Sequence, residues 1–223
     1  MTTILNIETA TKNCSVSIAV NGVVIEVKEV TDVNYSHAEK LHPFILEVVS
    51  KGNGTFKDID AIAISKGPGS YTGLRIGVSA AKGLAFVLGI PLISVDTLTS
   101  LALSVSVGKG FIVPMLDARR MEVYATVFDS NVQKIRETKA EIIDNNSFQD
   151  YLEKDTVYFL GDGSQKCKEI ITHPNAVFID DKLPSAREMA SLSYRKYKEN
   201  HTENIAYFEP FYLKDFIVTK SKL

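Results

Sequence analysis

The stretch that most limits the fold is "TILNIETATKNCSVSIAVNGVVIEVKEV", residues 3–30. Three runs in it, 3–10, 14–20 and 23–30, alternate or run apolar as strands do. Asn21-Gly22 separates the last two. A two-residue type I′ turn needs positive φ at both central positions, which Asn and Gly tolerate best. The chain therefore opens as a three-stranded antiparallel meander. "HAEKLHPFILEVVS" (37–50) carries Leu41, Ile45, Val48 and Val49 at helical spacing, with Pro43 expected near its start or at a kink. A strand at 59–65, a helix from about Thr72 to Leu88, the strand "PLISV" (91–95) and a helix capped by Asp96 or Thr97 follow. Three antiparallel strands feeding crossover helices and parallel strands imply a mixed sheet covered by helices.

"VGKG" (107–110) reads as a hinge, and after it the pattern begins again. "FIVPMLDARRMEVYATVFD" is two strands around a polar turn, "KIRETKAEII" a third, "NSFQDYLEK" a short helix and "TVYFLGDGS" a strand with a glycine turn. Ser185, with Glu188 three residues on, opens a last helix as a capping box. The chain divides into a first lobe (1–108), a reduced second lobe (109–182), and a C-terminal helix and tail (183–223) packing back on the lobes. A length of 223 residues suffices for a sizeable core. No apolar run reaches the ~18 residues of a membrane span, and the N-terminus lacks the basic region of a signal peptide. Cys14 and Cys167, far apart in sequence, suit a reducing cytoplasm. Acidic and basic residues balance in both halves, so neither is a basic nucleic-acid module. The final "SKL" matches a peroxisomal address, although a chance tripeptide on a lysine-rich tail is the favoured reading.

Several chemistries are missing. His37 and His42 are five apart, about 140° round a helix, whereas two metal ligands on one face need a spacing of three or four. No nucleophile elbow and no H-E-x-x-H occurs, and Cys14 sits in an apolar strand as packing. Glu8 and Asp117 end matching strands of the two halves, where a two-lobed phosphotransferase would hold Mg²⁺. The turns beside them, "ETATKNCS" and "DARRMEVY", lack the glycines that let backbone N–H groups approach phosphate. Arg119 and Arg120 could hold phosphate or pair with Asp117 or Glu122, and the structural pairing is favoured.

"SKGPGSYTGLRIG" (65–77) has four glycines but neither the GK[ST] ending of a P-loop nor GxGxxG spacing. As the start of a helix it keeps a weak affinity for anions, with Gly69, Ser70 and Arg119 as candidate residues. In the helix that follows, Gly73, Gly77, Ala81 and Ala85 recur every four residues, with Ala80 and Gly83 beside them. Helix-interior glycine costs about 1 kcal/mol relative to alanine, so the backbone must come close to something. A helix apolar nearly all round is normally buried; the pattern favours a partner helix over the chain's own first helix as its cover.

"ILNIETATKNCSVSIAV", "HAEKLHP", "GPGSYTGLRIGVSAAKGLA", "PLISVDTL", "DARRMEVYA", "GDG" and "PFYLKDF" together resemble the bacterial TsaB (YeaZ) family over nearly the whole chain. The resemblance implies an actin-like, sugar-kinase-like (ASKHA) two-lobed α/β fold, with a mixed sheet in each lobe and the second lobe reduced. It implies a cytoplasmic, non-catalytic scaffold in threonylcarbamoyladenosine modification of tRNA. That scaffold pairs with the paralogous transferase TsaD and the ATPase TsaE, dimerises with itself when alone, and meets tRNA through the complex. ATP and metal then belong to the partners, and no cofactor, metal, membrane contact or protease activity is expected of this chain. The family docks through its two first-lobe helices, which points to His37, Leu41, Ile45, Tyr71, Leu74, Arg75, Gly77, Val78, Ala81 and Lys82 as the partner interface. Lys214 stands where the family usually has arginine, keeping the charge and losing the planar fork. An ATP-dependent small-molecule phosphotransferase is the alternative.

Overall fold

A computed structural model describes residues 1–32, 37–52 and 54–214. The terminal Ser221-Lys222-Leu223, and Asp215 and Phe216 of the "PFYLKDF" motif, lie outside the described residues. Strands β1 (Thr3–Glu8), β2 (Asn13–Val20) and β3 (Val23–Thr31) form the meander, and Asn21 and Gly22 both take positive φ, 50° and 81°. Helix α1 (His37–Lys51), strand β4 (Ala61–Ser65), helix α2 (Tyr71–Leu88), strand β5 (Leu92–Val95) and helix α3 (Thr97–Ala102) complete the first half. The sheet order is β3-β2-β1-β4-β5, with β4 and β5 parallel to β1. Helix α1 continues across Pro43, with Leu41, Phe44, Ile45 and Val48 on its inner face buried on the sheet.

The second half repeats the topology. Strands β6 (Phe111–Asp117), β7 (Glu122–Asp129) and β8 (Lys134–Ile142) form another meander, then helix α4 (Gln149–Leu152), strand β9 (Val157–Leu160) and strand β10 (Ala176–Ile179) follow. Its order, β10-β9-β6-β7-β8, is that of the first sheet. Strand β10 has no counterpart in the sequence expectations: it is a short edge strand without alternation in its burial. Helix α3 lies within residues 1–108 yet packs on the second sheet, its Leu98, Leu101 and Ala102 against Ile112, Leu116, Phe128 and Leu160. Helix α5 (Ala186–Lys198) returns to the first sheet and buries Ala186, Met189 and Leu192 against Ile4, Ala63 and Ile93. Its cap is Ser185, whose Oγ accepts from Arg187 N–H (3.1 Å), one residue earlier than in a capping box. The same hydroxyl donates to Glu29 Oε2 (2.6 Å).

Residues 201–214 form a strap from the edge of the first sheet to the second lobe. Glu203 N–H donates to Leu92 O (2.8 Å) and Phe211 N–H to Lys66 O (2.7 Å). Lys82 Nζ donates to the carbonyls of Phe208 (2.9 Å) and Ala206 (3.3 Å). The strap ends on an ion pair between Lys214 and Glu122 of β7.

The small-residue stripe of α2 faces the chain's own sheet, which corrects the expectation of a partner helix there. Thr9 Oγ1 donates to Gly73 O (2.8 Å). A Cβ added at Gly73 would overlap Thr9 O, and one at Gly77 would overlap Thr9 Oγ1 and stand 3.0 Å from Ile64 Cδ1. The glycines thus admit the turn after β1. A Gly77→Leu variant should overpack this contact, a change worth about 1–3 kcal/mol. Thermal denaturation should show it melting well below the parent or failing to fold; an unchanged melting temperature would put the stripe elsewhere.

Candidate functional site

Two surfaces carry the functional candidates. The first is a cleft of about 630 Å³ between the lobes. The turn after β1 (Ala10–Lys12), the start of α2, the β6–β7 turn and the strap all line it. Gly69, Ser70 and Arg119, separated widely in sequence, meet there. Ser70 caps α2, its Oγ accepting from Gly73 N–H (3.3 Å), and its own N–H donates to Ala10 O (2.7 Å).

The β6–β7 turn is held from below by Lys166. Its Nζ is paired with Asp117 and donates to the carbonyls of Arg120 and Glu122, both at 2.7 Å. Asp117 Oδ1 also accepts from Arg119 N–H (2.9 Å), and Glu122 takes Lys214. The expected pairing of Arg119 and Arg120 with these acids is therefore corrected: both acids are occupied by lysines. Among the described residues neither arginine joins an ion pair, and both are exposed in the cleft wall with positive φ, 71° and 50°. The lysine that displaces them, Lys166, lies 49 residues from Asp117, beyond the reach of any local spacing rule.

Glu8 and Asp117 do not face each other. Asp117 is exposed at the cleft, whereas Glu8 is fully buried. Glu8 Oε1 accepts from Ala10 N–H (2.6 Å) and Ser65 Oγ (2.7 Å). Burial raises its pKa to about 7 against those two bonds. The acid that joins Asp117 is Asp162, from the "GDG" turn after β9, whose Oδ1 accepts from Asp117 N–H (3.0 Å). Burial, with the Asp117 charge adding, raises Asp162 as well. Cys14 and Cys167 are buried free thiols pushed up by burial to about 11, the reverse of a nucleophile's activation. His37 is buried, Nε2 at 2.7 Å from Thr11 O, while His42 lies on the outer side of α1.

The second surface is the outer face of α1 and α2. Of the ten residues expected at a partner interface, His37, Leu41, Ile45, Leu74, Gly77, Val78 and Ala81 are buried inside the chain. Lys82 is engaged by the strap. Tyr71 and Arg75 stay accessible, the guanidinium 4.1 Å over the Tyr71 ring and donating to Tyr212 Oη (3.4 Å). The outward face is offset round the helix. A groove of about 480 Å³ is lined there by His42, Ile76, Ser79, Ala80, Gly83, Leu84 and Val87. On the same two helices Leu46, Phe86 and Val87 are 60%, 76% and 80% exposed. Gly83, off the four-residue stripe, was the signal in the sequence: nothing lies within 4 Å of a Cβ placed there.

Comparison with known proteins places this architecture. A family described as "TsaD: tRNA N6-adenosine threonylcarbamoyltransferase" matches residues 31–221. The "tRNA threonylcarbamoyladenosine biosynthesis protein TsaB" of Escherichia coli is 31% identical over 97% of this chain and 96% of that protein. YeaZ from Pseudomonas aeruginosa superposes with a TM-score of 0.84 at 25% identity, over 96% of this chain and all of that one. A candidate N-acetylmannosamine kinase from Listeria monocytogenes shares the two-lobed fold, with a TM-score of 0.52 at 9% identity over 88% of this chain and 99% of that one.

The buried Glu8 has a pH signature. Its pKa is raised from 4.5 to about 7 on folding, so the folded state holds a proton that the unfolded state has lost between those values. Its contribution to stability is full below about pH 4.5 and is lost as pH rises towards 7. Glu8→Gln removes this titration. The stability of the parent minus that of the variant should fall by an amount of order 3 kcal/mol at most between pH 4.5 and 7.5. Taking the difference cancels the contribution of His37, lowered by burial. Denaturant midpoints across that range provide the check, and a constant difference would contradict the buried protonated state.

Proposed function

The chain belongs to the TsaB (YeaZ) family of tRNA threonylcarbamoyladenosine biosynthesis proteins, and from that premise we propose that it is the non-catalytic scaffold subunit of the threonylcarbamoyladenosine-forming machinery. The observation that carries this reading is the apolar groove on the outer face of α1 and α2. Monomers rarely leave contiguous apolar surface of this kind in water. Its occupant is the matching helix pair of a TsaD-type transferase, or of a second copy when the transferase is absent. The sequence supports that choice, because most of the chain matches the transferase family itself. Two chains of one fold can present the same helix pair to each other about a two-fold or pseudo-two-fold axis. Gly83 lets the facing backbone come close. A TsaE-type ATPase and tRNA join through the complex, in the cytoplasm, and ATP turnover and metal chemistry belong to the partners.

The state of Glu8 disfavours the phosphotransferase alternative. The acid that would hold Mg²⁺ opposite the second lobe is folded away on Ser65 and the Ala10 N–H. Both thiols, Cys14 and Cys167, are buried. Among those residues no three His, Cys, Asp or Glu side chains are grouped as a metal site needs. No helix among them is long and apolar enough to cross a membrane.

Two measurements test the proposal. Purified protein incubated with ATP, threonine, bicarbonate and tRNA should neither hydrolyse ATP nor modify tRNA until the transferase and ATPase are added; turnover by the chain alone would end the scaffold reading. Gly83→Leu should keep the parental melting profile, allowing for lost dimer stabilisation. It should weaken self-association and transferase binding about tenfold or more. Sedimentation at micromolar concentration reads this directly, and unchanged association in a folded Gly83→Leu protein would place the interface elsewhere.

A further inference from the structure

We infer that His42 governs which partner the outer face of α1 and α2 accepts: once its imidazole is protonated, the groove rejects a second copy of this chain and favours a helix that sets a carboxylate against it. The inference rests on the reading of that groove as the docking face. His42 is exposed on α1, and among the described residues it is the one titratable group lining the groove. Ile76, Ser79, Ala80, Gly83, Leu84 and Val87 of α2 supply the rest of the wall. Any helix that fills the groove therefore takes the imidazole out of water. A neutral imidazole tolerates this when hydrogen-bonded, whereas an imidazolium also needs a counter-charge.

The chain supplies little to meet such a charge. Helix α2 has no acidic residue along its length. Its two cations are engaged elsewhere, Arg75 over the Tyr71 ring and on Tyr212, and Lys82 on the carbonyls of the strap. On α1, Glu47 is held by Lys28 and Lys51. Glu39, three positions before His42, is exposed and followed directly by Lys40. Among the described residues the histidine in an ion pair is His201, with Glu199, and His42 joins none.

Symmetry doubles the effect. A second copy docks about a two-fold axis, so the groove meets itself. Both imidazoles then enter one apolar interface, and neither groove brings a carboxylate. While both are neutral the two surfaces match, because no other charged side chain lines them. Histidine ordinarily changes charge between pH 5 and 8. The docked pair excludes the proton, so self-docking is full above that range and is lost as pH falls through it. One unit below the ordinary histidine value of about 6.5, keeping an imidazole neutral costs about tenfold, and a symmetric pair meets that cost twice. A partner that presents Asp or Glu opposite His42 gains from the same proton.

The test is sedimentation of the full chain at micromolar concentration, at pH 8 and pH 5.5. Self-association of the parent should weaken about tenfold or more at the lower pH. His42→Gln keeps a polar side chain without a titration and should associate equally at both. His42→Lys carries a fixed charge and should associate weakly at both. Gln and Lys suit an exposed helix position, so both variants should keep the parental melting profile. A labelled His42→Glu copy mixed with the parent at pH 5.5 should form mixed pairs more readily than either protein pairs with itself. Glu8 and His37 are the same in every variant, so the comparison isolates residue 42. A pH dependence that persists in His42→Gln, tight self-association of His42→Lys, or no preference for the mixed pair would each overturn the inference and leave the docking face standing. Gly83→Leu, run alongside, should stay weak at either pH. If it pairs like the parent, or if the parent does not self-associate at pH 8, the docking face itself falls and the inference with it.

Discussion

Helix α2 lies so close to the turn after β1 that Thr9 can donate to the helix carbonyl of Gly73. Much of the first lobe follows from that contact. Side chains larger than hydrogen at Gly73 and Gly77 would meet Thr9, so two turns of the helix must lack a Cβ on this side. The approach sets the rotation of α2. Leu74, Val78, Ala81 and Ala85 then fall on the sheet, Ile76 and Ala80 lie half-buried at the margin of the same core, and Gly83 and Val87 are turned to solvent. It also fixes the helix start, bringing Gly69 and Ser70 beside Ala10 at the cleft. One short contact thus positions both candidate surfaces.

The same turn explains the fate of Glu8. At the end of β1, next to the packed turn, its carboxyl is surrounded by the first-lobe core and served by Ser65 and the Ala10 N–H. The carboxyl is fully buried, so the charged form loses more solvation than those bonds return, and the proton is retained to about pH 7. The strand-end acid thus serves as a structural anchor for the turn after β1. Its counterpart Asp117, two-fold related by topology, stays in water and is spent on holding a turn with Lys166.

The strap connects these regions. Its bonds to Leu92, Lys66 and α2 fasten it to the first lobe, and Lys214 reaches Glu122 in the second. Lys214 meets the Glu122 carboxylate with a single amine, without the two parallel bonds that a guanidinium fork could make. The Tyr212 ring of the strap lies tilted against Tyr71, centroids 5.1 Å apart, and its hydroxyl accepts from Arg75, so cleft and outer helix face share a boundary on the first turns of α2.

Local pattern was enough for most elements of this chain. Alternation and the Asn21-Gly22 turn define the opening meander, helical spacing defines α1 and α2, and the repeat of that order in the second half defines the duplicated sheets. Those signals act over a few residues, and each residue's chemistry carries them. The short edge strand β10 and the packing of α3 on the second sheet lacked such signals. The stripe of small residues in α2 was legible as a demand for close approach, but not the object approached. In a helix apolar nearly all round, composition does not separate inner from outer faces, and only the position of Thr9 does. Likewise Arg119, Arg120, Asp117 and Glu122 were visible as neighbours with charges to pair. The pairing turned on Lys166 and Lys214, brought in from 49 and 92 residues away. The residues themselves settled which elements form; which groups meet depended on the folded chain, because long-range approach is what decides burial, charge neutralisation and the free face of a helix.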